Sequence, residues 1–337
     1  LLGSLGDPNS MLKKILLGLV AVLLLGVASG GVFVQMKVSA YDESVGKKYD
    51  FPLEPVTLST DPEVLARGKH LAESLGGCTT CHGDNFAGGK LEDMGPLGQI
   101  VHFNITTGKG GRGAEYSDAE LDRLLRHGVK RDGTTARMMP VEDLYWWPVA
   151  DRAAVISYLR TVPPVDGQPG KVEFSAMAKV LDRMGNIPID QARRVNHTAA
   201  PSTVAPAESV EYGALVAKGC GCHGPNYSGG PIPGTPPSFG IPHNLTPHES
   251  GLKDWTYERF THTLQSGLKQ DGSKLSEFMP VTAFKNMSEL ELKALWMFLR
   301  MALNAIDGML AREFGQKSAL GAYQNELSDV ISDAALY

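Results

Sequence analysis

Cysteine is scarce in this chain, with four residues in 337. They are not scattered, as a disulfide framework would need. They form two short clusters, Cys78 with Cys81 and Cys220 with Cys222, and each cluster runs straight into a histidine, His82 or His223. An excess of one charge is also missing. The formal net charge of -5 gives no general pull toward nucleic acid. No basic run with interleaved aromatics appears, so no nucleic-acid partner is expected. Alternating strand patterns of useful length are absent, which points away from a sheet-based fold. What remains is 42% hydrophobic and 20% charged, the make-up of a folded chain long enough for two or three small domains or one large one.

One long apolar run stands near the N-terminus. From Ile15 to Val34 only Ser29 is polar and nothing is charged. Twenty residues at helical rise cross a bilayer core. Lys13 and Lys14 precede the run, which keeps the N-terminus inside and sends the rest outward. Met11 reads as a natural start, with 1–10 an N-terminal extension and 11–36 a transmembrane anchor or signal segment. The rival is a cleaved signal peptide, with Ala28-Ser29-Gly30 as the cleavage site. Either way the body of the chain is exported, and the expected place is the inner (cytoplasmic) membrane, single-pass, with the bulk in the periplasm. Gly26 and Gly30 form a small-xxx-small pair, or simply a glycine-tolerant span.

The rest of the chain is written twice. Cys81-His82-Gly83-Asp84-Asn85-Phe86-Ala87-Gly88-Gly89 matches Cys222-His223-Gly224-Pro225-Asn226-Tyr227-Ser228-Gly229-Gly230, 141 residues on. Asn104-Ile105-Thr106 matches Asn244-Leu245-Thr246, Met139-Pro140 matches Met279-Pro280, and Tyr158-Leu159-Arg160 matches Phe298-Leu299-Arg300, all 140 apart. Tyr116 matches Trp255, and Asp132-Gly133 matches Asp271-Gly272, both 139 apart. A near-constant offset means a duplicated structural unit.

Each unit reads as helical. Asp61 caps a helix with Pro62 at its first position, and Val64, Leu65, Gly68, Leu71, Ala72 and Leu75 form its apolar stripe. Ser117 with Glu120, and Ser288 with Glu291, are capping boxes. A last helix carries Val155, Ile156 and Leu159 before Pro163-Pro164. The boundaries that follow are a linker at 37–59, a first domain at 60–165, an interdomain linker at 166–208, a second domain at 209–303 and a tail at 304–337. Within the interdomain linker, Ala199 to Ala207 is Pro/Ala/Ser/Thr-rich and reads as extended.

C-x-x-C-H is the pattern of c-type haem attachment. Cys78 and Cys81, three apart, share one side of a helical turn, and His82 follows on the same face as an iron ligand. The opposite ligand must come from a distant segment. Met139 lies 57 residues after His82, and Met279 lies 56 after His223. Met138 is the neighbour that competes with Met139, and the repeat favours Met139 because Met279 also precedes a proline. Met/His ligation leaves no open iron site, which suits electron transfer. A zinc half-site lacks a second cysteine pair nearby, and a redox dithiol lacks a surrounding βαβ pattern.

The second motif departs from the first. Gly219 stands where a cysteine is expected, giving Cys220-Gly221-Cys222-His223. Residues two apart on an α-helix point to nearly opposite sides. Gly219 and Gly221 could permit a non-helical turn that turns both thiols to one haem, or Cys222 makes the only thioether. A Cys220–Cys222 disulfide would be strained. Asn104 and Asn244 read as propionate partners or turn formers. Arg160 and Arg300 read as propionate partners or helix ends. Tyr116, Trp255, Tyr158 and Phe298 read as core or haem-edge packing.

With these residues in hand, each unit resembles the class I cytochrome c domain, from its early C-x-x-C-H to its late Met-Pro and closing aromatic helix. The run from Asn244-Leu245-Thr246 through Trp255, Asp271-Gly272 and Met279-Pro280 to Phe298-Leu299-Arg300 is similar to membrane-bound cytochrome c subunits of alcohol and sugar dehydrogenases. The resemblance spans roughly 60–300. Those subunits often carry three haem domains, and this chain has two. The resemblance implies an all-α fold of tandem class I cytochrome c-like domains behind one transmembrane helix. It implies two covalent haem c groups, and redox partner proteins in a membrane oxidoreductase complex. Electrons would pass between a donor enzyme or complex and a quinone, a soluble cytochrome or a terminal oxidase. Two other functions stay open: a diheme enzyme of peroxidase or thiosulfate dehydrogenase type, and a one-haem carrier whose second domain is degenerate.

Overall fold

The computed structural model describes residues 8–232 and 240–302. The extension before residue 8 and the tail 304–337 lie outside the described residues. Helix is the main regular element. Helix α1 (Pro8–Gly46) is long and apolar enough to cross a membrane, and its apolar side chains from Leu12 to Met36 are exposed. At 1.5 Å per residue its 39 residues extend ~58 Å, well beyond a ~30 Å hydrocarbon core.

The helix does not stop at residue 36. Its last turns are docked: Tyr41 is buried with Leu97, Ala178, Ile187 and Ile189. Ser44 donates to Asp190 at 2.5 Å, and Lys179 pairs with Asp42 at 2.7 Å. Residues 171–194, inside the expected interdomain linker, supply that dock. They form strand β3 (Lys171–Phe174), helix α6 (Ala176–Arg183) and helix α7 (Gln191–Arg194).

Two halves then repeat one sequence of elements. In the first, α2 (Pro62–Glu73) is capped by Asp61, which accepts from Glu63 N, with Pro62 at its start. Then come α3 (Cys78–His82), α4 (Asp118–His127) and α5 (Val149–Thr161). In the second, α8 (Val210–Val216), a 3₁₀ turn (Ala217–His223), α9 (Tyr257–Ser266), a short α10 (Val281–Phe284) and α11 (Glu289–Met297) follow the same order. Both capping boxes, Ser117/Glu120 and Ser288/Glu291, are complete. The first and last helices of each half cross at a glycine. A Cβ on Gly68 would lie 2.0 Å from the Ala154 carbonyl oxygen, and one on Gly213 1.9 Å from that of Ala294. No side chain fits there, so both crossings need glycine for contact rather than for a turn.

Each half has its own core. Leu71, Ala72, Phe86, Leu144, Trp147 and Val155 form the first. Tyr212, Val216, Leu252, Phe260, Leu292 and Leu295 are among the second. Leu75 packs on both. Burying a Leu or Val side chain contributes ~1.5–3 kcal/mol.

The fold is not purely helical. Strands β1 (Leu91–Asp93), β2 (Gly98–Val101) and β3 form an antiparallel sheet in the order β1-β2-β3, with Ile100 opposite Glu92 and Val172. Its strands are three or four residues long. β3 pairs with β2 across some seventy residues, and its alternation, Lys-Val-Glu-Phe, lasts only four residues, too few to read as a strand from the sequence.

Candidate functional site

In α3 the turn Cys78–His82 is set between two left-handed or open glycines, Gly77 (φ 55°) and Gly83 (φ 76°). Cys78 packs on the first core. The His82 Nδ1–H donates to the Phe103 carbonyl at 2.7 Å. That bond fixes the tautomer and leaves the Nε2 lone pair free for a metal. The carbonyl can come so close because Gly88 (φ 61°) makes room. A Cβ there would stand 2.4 Å from the His102 oxygen and the Phe103 carbonyl carbon. Burial holds the His82 imidazole below its ordinary range, against the upward pull of the Phe103 carbonyl, so the ring is neutral as a ligand must be.

The second half repeats this geometry. His223 Nδ1–H donates to the His243 carbonyl at 2.7 Å, and Gly229 (φ 69°) would place a Cβ 2.4 Å from the Pro242 oxygen. His223 is buried, and burial again holds its pKa down.

The cysteine turns differ in conformation as well as in spacing. Cys78 to Cys81 is α-helical, while Ala217–His223 is 3₁₀, with Cys220 alone off helical angles (φ -91°, ψ 21°). A 3₁₀ turn closes in 3.0 residues instead of 3.6. Gly219 and Gly221 keep ordinary negative φ. Cys220 packs on the second core as Cys78 does on the first, and Cys222 is exposed.

Burial pushes the thiols of Cys78 and Cys220 up to about 12, and those of Cys81 and Cys222 upward too. None is a poised thiolate, so dithiol redox chemistry is poorly served. Among the described residues no three His, Cys, Asp or Glu side chains converge on a metal-sized point. A buried imidazole with one free nitrogen beside two neutral thiols fits covalent haem instead.

The Met-Pro segments have one backbone. Val141 N donates to the Met139 carbonyl at 2.7 Å and Val281 N to that of Met279 at 2.8 Å, and the prolines agree in φ and ψ within a few degrees. Their side chains are placed differently. Met139 packs on the first core with Cys78, while Met138, at φ 62°, turns to the anchor core. Met279 is half-buried and lies off the second core.

The softer candidates have structural partners. Asn104, fully buried, accepts from Thr106 N and Oγ1 and donates to Val165 O. Asn244 accepts from Thr246 N at 2.8 Å. Both form turns. Arg160 donates to the carbonyls of Gly113 and Tyr116, and Arg300 to those of Leu252 and Lys253, so each clamps a loop. Tyr158 stands edge-on to Phe86, and Phe298 to Tyr227. The carbonyls of Phe103 and His243 escaped the sequence reading; the repeated Gly88-Gly89 and Gly229-Gly230 were their only trace.

The two halves join through polar contacts. His70 Nε2 lies 2.8 Å from Glu291, which is 1% exposed. Burial alone would raise the Glu291 carboxyl, but its bonds to His70 and Ser288 outweigh that and hold it low. Thr80 Oγ1 meets Thr282 Oγ1 at 3.3 Å, and Asn286 donates to the Glu73 carbonyl at 3.0 Å.

Part of the chain is similar to known proteins. Residues 65–163 match the cytochrome c family. The chain is 35% identical over 121 residues to the cytochrome c subunit of a quinone-dependent alcohol dehydrogenase of Gluconacetobacter polyoxogenes, covering 34% of this chain and 25% of that one. It is 29% identical over 129 residues to the cytochrome subunit of fructose dehydrogenase of Gluconobacter japonicus, 36% of this chain and 26% of that one. A 41-residue stretch, 12% of the chain, is 68% identical to the inner membrane protein YnbA of Escherichia coli (strain K12), of which it covers 20%. The chain thus spans a fifth to a quarter of the length of these relatives.

Proposed function

We propose, from the cytochrome c domain at residues 65–163, that this chain is a membrane-tethered carrier of electrons with one haem c in each half. One observation carries the reading: the pairing of a cysteine turn with a histidine held by a backbone carbonyl occurs twice, at His82 with Phe103 and at His223 with His243. Bound haem supplies a one-electron iron couple, and the chain's residues set how it is held. Cys78 and Cys81, and Cys220 and Cys222, are the attachment residues. His82 and His223 offer Nε2 to the iron; burial keeps the rings neutral, and the carbonyls behind them hold their orientation. Met139 and Met279 would be the remaining side-chain ligands, and a His/Met set would suit electron transfer rather than substrate chemistry.

The apolar exposed α1 is the membrane tether, and Lys13 and Lys14 at its start place the haem halves in the periplasm. Similarity to cytochrome subunits of alcohol and fructose dehydrogenases supports a role as the electron-transfer subunit of an oxidoreductase complex, serving a donor enzyme on one side and a quinone, soluble cytochrome or terminal oxidase on the other. Carbon monoxide tests the carrier against an enzyme. A carrier with both irons closed leaves the reduced spectrum unchanged under the gas. Stoichiometric binding at one haem means an open iron and a peroxidase-like role. A one-haem reading draws on the exposed Cys222 and on Met279, which lies off its core.

A further inference from the structure

The contacts between the halves come in swapped pairs. In the register of the repeat, 140 residues apart, Asp143 of the first half corresponds to Ala283 of the second. Each follows a Met-Pro step, and each faces the cysteine turn of the other half. The Cβ of Ala283 lies 3.8 Å from where a Gly77 side chain would begin, beside the Thr80–Thr282 contact. Asn286 donates to the Glu73 carbonyl on one side and Lys218 lies over the Trp146 ring on the other, which brings the segment of Asp143 to the Cys220–Cys222 turn, where its charge acts on both thiols. Lys218, in the same turn, acts on Asp143 in return and lies 5.5 Å from the Trp146 ring. One position therefore presents a methyl group to the first attachment turn and a carboxyl to the second.

We infer that Asp143 makes the two haems unequal, holding the haem on Cys220 and Cys222 at the lower reduction potential so that electrons settle on the haem of the first half. This rests on the two-haem reading above. With the same His/Met ligand set on both irons, the ligands themselves do not separate the two potentials. A nearby negative charge does, because the ferric state carries one more positive charge than the ferrous and is favoured by it.

The surrounding charges do not cancel the effect. Lys218 is exposed and screened by solvent and salt. Glu142 has the same sign as Asp143 and is engaged by Arg194 at 2.7 Å. In the first half no carboxyl acts on Cys78. Glu92 acts on Cys81, but Lys90 opposes it and His102 holds it at 2.9 Å. The transfer itself is simple: one electron leaves the second-half iron, which becomes ferric, and reduces the first-half iron to ferrous, with no proton or bond change.

The test is a spectroelectrochemical titration of the full chain in detergent at about pH 8.5, where a carboxyl pushed up to about 7 by burial is ionised. Met139→His, which lowers the first haem, assigns the two waves. Asp143→Asn is expected to raise the lower wave by roughly a tenfold change in the haem-to-haem equilibrium, ~59 mV for one electron, and to leave the upper wave in place. Ala283→Asp is expected to lower the upper wave. An unmoved lower wave in Asp143→Asn, or equal shifts of both waves, overturns the inference while leaving the two-haem reading intact. If Asp143→Asn does not fold, Ala283→Asp decides alone: a fall in the upper wave supports the inference and an unmoved wave overturns it. A preparation with one haem per chain overturns both.

Discussion

In the first half, Met139 sits on the core that also takes Cys78, a short sheet covers one side, and a buried Arg152–Asp122 pair ties α5 to α4. In the second half, Met279 stands off the core, Cys222 is exposed, and the positions matching Arg152 and Asp122 are Leu292 and Thr261. Yet the histidine, its carbonyl, the glycine behind it and the glycine at the helix crossing are the same in both. The comparison separates what a site needs from what fastens it. The histidine–carbonyl geometry is kept twice, the Arg152–Asp122 pair has no counterpart at the matching positions, and His70 with Glu291 joins the halves.

The largest expected effect falls on the fastening. Arg152 is 2% exposed and makes a two-pronged pair with Asp122, at 2.7 and 3.2 Å, plus a bond to the Trp147 carbonyl. Arg152→Ala should cost ~3–5 kcal/mol in denaturant unfolding, since it strands a buried carboxylate. The double change Asp122→Leu with Arg152→Leu should cost much less. If single and double variants are equally damaged, the pair is not what holds α4 to α5.

Next come the helix crossings. Gly68→Ala and Gly213→Ala should each cost at least ~1–3 kcal/mol, because the added carbon meets backbone rather than a movable side chain. Thermal unfolding monitored at each haem would show whether the damage stays in its own half. Damage that spreads equally would mean the halves unfold as one.

A smaller effect is expected at the interface. Glu291→Gln should cost ~1–3 kcal/mol at pH 7. The folded carboxyl lies below its ordinary 4.5, so its contribution is fully present above that value and is lost as pH falls through the folded pKa. The gap between wild type and Glu291→Gln should therefore narrow as the pH falls below 4.5. A gap independent of pH would assign the loss to packing instead.

Much of this was legible in the residues. The caps at Asp61, Ser117 and Ser288 are local patterns, and each forms in the structure as read. The sheet was hidden because β3 pairs with β2 across some seventy residues, in strands whose alternation is too short to stand out. The anchor dock was hidden for a related reason: Tyr41, Leu97 and Ile189 meet only in three dimensions. The carbonyl partners of His82 and His223 are backbone atoms, and no side-chain pattern encodes them. The 3₁₀ conformation of the second cysteine turn was not legible, because the shift of a thiol from position 219 to 220 does not by itself dictate the backbone.

Haem content per chain, from pyridine haemochrome absorbance and intact mass of the full-length protein, tests the central claim most directly. Two covalent haems are predicted, falling to one in Cys220→Ala/Cys222→Ala and, independently, in Cys78→Ala/Cys81→Ala. One haem in the unaltered chain, lost only with Cys78 and Cys81, would contradict the account and leave the second half a protein scaffold without a cofactor.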